Sequence, residues 1–110
     1  MIFLWDDFNR QHAVKHGVSK EDAEHVVINA AAPYPRQRED DKLLVWGPDR
    51  AGRIIEVVFA LKTTDQIPFD SINPADVADI SEGEIVSAAY IIHAMPLQGR
   101  RLKQYCRNRR

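Results

Sequence analysis

Cysteine is almost missing from this chain: Cys106 is the single one in 110 residues. One thiol cannot close an intrachain disulfide, and it excludes a Cys₂His₂ or Cys₄ zinc site. Long apolar runs are missing as well. No stretch approaches the roughly 18 consecutive apolar residues of a membrane helix, so no membrane partner is expected. The opening Met1-Ile2-Phe3-Leu4-Trp5-Asp6-Asp7 meets acids before any apolar stretch of signal-peptide length. A reducing cytoplasm is therefore the expected location. There is no internal repeat and no low-complexity segment. What is present, 45% hydrophobic and 28% charged residues, suits one domain over 1–110 with a single modest core.

Acids are absent from one place. Residues 100–110 hold six cations (Arg100, Arg101, Lys103, Arg107, Arg109 and Arg110) and no acid. The remaining residues carry all 16 acids and the other nine of the 15 cations, a net −7. A basic end on an acidic body fits contact with nucleic acid or an acidic partner, or a solvated tail that aids solubility.

Residues 2–5 read as a short strand. Asp6 or Asp7 can cap a helix running to about His16 and stopping at Gly17, a residue suited to the left-handed position. Ser19-Lys20-Glu21-Asp22 has capping-box spacing. Ala23, Val26, Val27 and Ala30 follow at i, i+3, i+4, i+7 as the buried face of a second helix, ended by Pro33 and Pro35. Lys42 to Trp46 reads as a strand, and Gly47 to Gly52 as a turn. Arg53 to Leu61 is the strongest strand: Ile55, Val57, Phe59 and Leu61 share one face, with Ile54, Val58 and Ala60 on the other.

Residues 62–86, with six acids and one base, read as a long acidic loop in which Asn73-Pro74 has the spacing of one helical turn. Ala88 to Met95 reads either as a helix capped at Ser81-Glu82-Gly83-Glu84 and running to the residue before Pro96, or as a buried strand marked by Tyr90-Ile91-Ile92; the strand is favoured, because a hairpin needs a third strand to be stable. On that reading Ile91, His93 and Met95 share one face. A short basic helix over about Gln98 to Tyr105 closes the chain.

Three groupings bear on chemistry. His12 and His16 have the i, i+4 spacing that can place two imidazoles on one metal. No carboxylate motif accompanies them, His16 also suits a helix C-terminus, and the expectation is no metal and no cofactor. His25, among Glu21, Asp22 and Glu24, is expected at the surface. His93 is a titratable group in an apolar strand beside the basic helix, either a general acid or base or a histidine satisfied by a backbone carbonyl. Arg36 and Arg38 flank Tyr34 in an extended segment, as in single-strand RNA binding or in an ordinary exposed loop.

The run Trp5-Asp6-Asp7-Phe8-Asn9-Arg10-Gln11-His12-Ala13-Val14-Lys15-His16-Gly17-Val18-Ser19 resembles the start of BrnT-family toxins, one branch of which reads W-D-x-x-N-x-x-H-x-x-[K/R]-H-G-V. The likeness continues at Pro33-Tyr34-Pro35-Arg36, Leu44-Val45-Trp46-Gly47, Ala51-Gly52-Arg53, Ile92-His93-Ala94-Met95-Pro96-Leu97 and the basic helix with Tyr105. It covers nearly all of the chain except 62–86.

The resemblance implies an α+β fold of RelE-like type: a small antiparallel sheet, two N-terminal helices and a C-terminal basic helix. It implies the toxin of a bacterial type II toxin–antitoxin system, a metal-independent endoribonuclease. Its partners would be RNA and a cognate ribbon-helix-helix antitoxin, with DNA reached only through the antitoxin. Carried onto this chain, His93 is the candidate acid or base. Arg53 and Arg100 would act with it, and Tyr105 would donate a hydrogen bond or pack under the helix. Arg36, Arg38, Arg101 and Lys103 would hold RNA.

The chain departs from that pattern in three places. The family branch usually reads I-H-A-R-P where this chain has Met95. Its final helix usually carries an acid and then a base where this chain has Arg101 and Leu102. The third departure is the acidic insertion. A second reading therefore stands beside the first: a catalytically weakened homologue that binds antitoxin or RNA.

Overall fold

A computed structural model describes residues 2–39, 41–63 and 88–108. Two helices follow the first strand, β1 (Ile2–Leu4), and both form where local capping dictates. In α1 (Asp7–Lys15), Asn9 N–H donates to Asp6 Oδ1 at 2.9 Å and Asp6 N–H to Asn9 Oδ1 at 2.8 Å, a reciprocal cap. The helix stops at Gly17, whose φ of +76° is costly for any residue with a Cβ. In α2 (Lys20–Ile28), Ser19 Oγ accepts from Asp22 N–H at 3.1 Å, and Ala23, Val26 and Val27 are buried. This helix ends at an Asn29 cap, before the prolines expected to end it.

The sheet has five strands in the order β1-β5-β4-β3-β2, with β2 (Arg36–Glu39), β3 (Lys42–Pro48), β4 (Ile54–Lys62) and β5 (Ala88–Pro96). The last helix, α3 (Gly99–Asn108), follows β5. The fold is α+β with three helices among the described residues, but the sheet is mixed, which corrects the expected antiparallel one. β2 to β5 form an antiparallel run, and β1 adds to the outer edge of β5 in parallel, Ile2 opposite Ala88 and Leu4 opposite Tyr90. β2 is a further strand, fully exposed, in the segment read only as extended. The acidic stretch lies outside the described residues except at its first two positions, and so does the helical turn expected at Asn73-Pro74.

Alternation sorts the two faces. Val45, Ile55, Val57, Phe59, Ile91 and Ala94 are buried on the face against which α2 packs Val26 and Val27. Complete burial of such side chains contributes about 1.5–3 kcal/mol each, which makes this face the main source of stability. Glu56, Val58, His93 and Met95 take the other face, with Glu56 opposite Met95 and Val58 opposite His93.

A bulge corrects the expected grouping of Ile91 with His93. Phe59 pairs with Ile91 while Val58 pairs with His93, so Ile92 is an extra residue on β5. An inserted residue reverses the alternation beyond it. Ile91 therefore turns into the core at 1% exposure.

α1 continues the outer edge of β5 where β1 stops. Asn9, itself 2% exposed, donates through Nδ2 to the carbonyl of Leu4 at 3.0 Å and to that of Ile91 at 2.8 Å. These bonds hold the helix against the strand that carries His93.

Candidate functional site

The second face opens into a cleft of about 320 Å³ that Arg38, Lys42, Glu56, His93, Met95 and Arg101 help to line. Glu56 is its centre and is almost fully buried. Its carboxylate accepts from Trp46 Nε1 at 3.1 Å and from Arg101 Nη1 at 3.1 Å on each oxygen. His93 Nε2 lies 3.4 Å from Oε2. A buried carboxylate is retained in ionised form only with partners of this kind. The contact with His93 holds Glu56 below the usual carboxylate range, with help from Trp46 and Arg101, against the opposing effect of burial. Since the Glu56 carboxylate accepts, His93 presents Nε2–H to it, and in the neutral form of the ring Nδ1 keeps its lone pair.

The structure brings together four of the residues singled out in the sequence: His93, Met95, Arg101 and Arg38. It adds three charged residues that sequence reasoning missed, Glu56, Lys42 and Glu39. The signal for Glu56 was present. It falls between Ile54 and Val58 on the second face of the strongest strand, where an acid breaks an otherwise apolar row.

Arg53 is elsewhere. Its Nε pairs with Asp49 at 3.1 Å, and its Nη2 donates to the carbonyl of Gly17 at 2.8 Å. Asp49 Oδ1 also accepts from the backbone N–H of Ala51 and of Arg53. Arg53 thus fastens the β3–β4 turn to the end of α1 and does not line the cleft.

Arg36 lies over the Tyr34 ring, 5.4 Å from its centroid, a cation–π contact on the edge strand. Arg100 is exposed on α3, and Lys103 lines a separate groove with Leu102, Cys106 and Arg107. Tyr105 packs under the helix at 6% exposure, its ring 6.4 Å from that of Tyr34. Both tyrosines and Trp46 line a second pocket, and the buried Tyr34 hydroxyl has no hydrogen-bond partner among the described residues. Burial pushes the Tyr34 phenol up.

Beside the cleft, α1 and its C-cap carry two more imidazoles, His12 and His16, toward His93. Ring centroids are 5.1 Å apart for His12 and His16, 5.8 Å for His12 and His93, and 5.8 Å for His16 and His93. His16 is held below its ordinary value, first by desolvation and then by repulsion from His12 and His93. His25, the fourth histidine, is on α2, where Asn29 Nδ2 lies 3.3 Å from its Nδ1.

No family model matches this chain, and no similar curated protein or solved structure was found.

Proposed function

We propose that this chain is a metal-independent endoribonuclease of the BrnT toxin type, acting on single-stranded RNA in the cleft. One observation carries the reading: a buried carboxylate holds a partly exposed imidazole, 24% accessible, amid the cations of Arg38, Arg101 and Lys42, the last of them paired with Glu39 at 3.2 Å. That combination suits cleavage of a ribose phosphodiester. His93 Nδ1 accepts the proton of the 2′-OH as the 2′-oxygen attacks phosphorus. The P–O5′ bond breaks, and its oxygen takes a proton from the His93 imidazolium or from water. The products are a 2′,3′-cyclic phosphate and a 5′-hydroxyl end. Arg38, Lys42 and Arg101 oppose the charge that builds on the phosphate oxygens. Arg101 uses only Nη1 in its contacts with Glu56, so the rest of the guanidinium is not committed to that carboxylate. The sequence likeness supplies the biological setting: a bacterial toxin held by a ribbon-helix-helix antitoxin, with DNA engaged only through that partner.

Met95 favours a second reading. It lines the cleft where the resembling family carries arginine, and its thioether cannot stabilise an anion. A chain with this cleft and weak turnover would act through binding of antitoxin or RNA. Cleavage of a single-stranded oligoribonucleotide in excess chelator, with the ends of the products identified, separates the two. Cyclic phosphate ends that disappear in His93→Ala are expected. No cleavage by the natural chain or by Met95→Arg would overturn the nuclease reading.

A further inference from the structure

We propose that His12, His16 and His93 form a binding site for a divalent transition-metal ion of the zinc class. Three of the four histidines in the chain meet here, and one donor nitrogen from each lies within 4.8 Å of the other two. Zinc–nitrogen bonds of 2.0–2.1 Å in a tetrahedral site require nitrogens about 3.4 Å apart, so small ring rotations complete the set.

The framework makes such rotations sufficient. His12 on α1 and His16 at its C-cap are four residues apart, and the two Asn9 bonds fix that helix to β1 and β5. Glu56 supplies the second layer of a metal site. With Nε2 of His93 given to the carboxylate, Nδ1 is the nitrogen left for the metal, and the ring cannot turn freely. The same imidazole cannot hold a metal and accept a proton at Nδ1 together.

The chemistry of the donors selects the ion. Three imidazoles without a carboxylate ligand suit zinc, copper, nickel or iron and not magnesium or calcium. Three protein ligands leave a fourth position for water, and all three rings are partly exposed, which gives an entry path. This assignment rests on the histidine geometry and stands whether or not the cleft cleaves RNA.

The test uses the full chain with Cys106→Ser, which removes the exposed thiol as a competing ligand. Chelator-stripped protein is titrated with zinc by calorimetry and with cobalt by visible absorption. One ion per chain and a tetrahedral cobalt spectrum are expected. His12→Ala and His16→Ala should each weaken zinc by more than about tenfold, and Glu56→Gln by about tenfold, as outer-layer substitutions typically do. His25→Ala should change nothing. In the unsubstituted chain, zinc should shift the ring-proton NMR signals of three histidines and leave His25 in place, a readout independent of how the variants fold. Unshifted signals for the three, or zinc binding that His16→Ala leaves intact, would overturn the site.

Discussion

Replacing Glu56 separates its structural role from its chemical one, because glutamine and alanine remove different things. Alanine leaves Trp46 Nε1–H, on a ring only 8% exposed, without its acceptor. A buried donor left unpaired costs about 1–3 kcal/mol. The Arg101 side chain is 56% exposed, so the lost ion pair adds less than about 1 kcal/mol. Relief of the buried charge offsets part of this, and a net loss of about 2 kcal/mol is expected for Glu56→Ala. At roughly 4–8 °C per kcal/mol for a domain of this size, Tm falls by about 8–16 °C.

Glutamine keeps an oxygen for Trp46 and loses only the charge, so Glu56→Gln should cost less than about 1 kcal/mol. Activity should not follow that order. Both variants free the His93 ring and remove the acceptor that fixes its tautomer, a contribution of about 10²–10⁴ in typical acid–base catalysis. Single-turnover cleavage of labelled RNA, read beside a thermal melt, gives both quantities on one preparation. Glu56→Gln with a normal Tm and cleavage within threefold of the unsubstituted chain would refute the assignment of Glu56 as the residue that positions His93.

Further expectations follow from other contacts. Met95 stands opposite Glu56 across the β4–β5 pair, so Met95→Arg adds a cation beside the phosphate position and should raise cleavage by up to about 10²–10³, measured as kcat. An unchanged rate places the charge stabiliser elsewhere. Chelator should leave cleavage intact or raise it, and micromolar zinc should suppress it, since the metal occupies the proton acceptor of His93; zinc-stimulated cleavage would contradict the shared use of that nitrogen.

Asn9→Ala removes bonds to two carbonyls and to the Asp6 N–H at a buried point, and should cost roughly 2–4 kcal/mol in denaturant unfolding. A loss below about 1 kcal/mol would mean that water replaces the amide. Burial, with a hydrogen bond to Asp6, pushes the Tyr90 phenol up to about 12. A raised phenol pKa favours the neutral form in the folded state, so its stabilisation is intact below the unfolded value near 10 and is lost between there and 12. Tyr90→Phe should flatten stability across that window in alkaline melts, and identical slopes would refute the contact.

Elements set by neighbours in sequence were legible, and those set by distant pairing were not. Asp6, Gly17 and Ser19 fix both N-terminal helices through contacts within a few residues, and they sit where the sequence places them. Arg53 looked functional as a cation entering a strand, yet its partner Asp49 was only four residues away, across the turn. Glu56 was hidden because an acid in an apolar strand shows its purpose only once His93, Trp46 and Arg101 arrive from elsewhere. The parallel pairing of β1 and the bulge at Ile92 depend on contacts between the two ends of the chain, which no local period reports. The histidine cluster was half legible: the i, i+4 pair is plain on α1, and its third member comes from β5.

The pairing of β1 with β5 sets an order on synthesis. Ile2 faces Ala88, and Asn9 waits for the carbonyl of Ile91, so the first strand and helix lack these partners until β5 has been made. Contacts so far apart in sequence slow folding, because closure of the long intervening loop precedes any gain from them. The cleft inherits this delay, since its imidazole and its Arg101 emerge from the ribosome well after Glu56. A chain that stops before β5 has Glu56 but neither of those two partners, and β1 and α1 lack the strand they dock on.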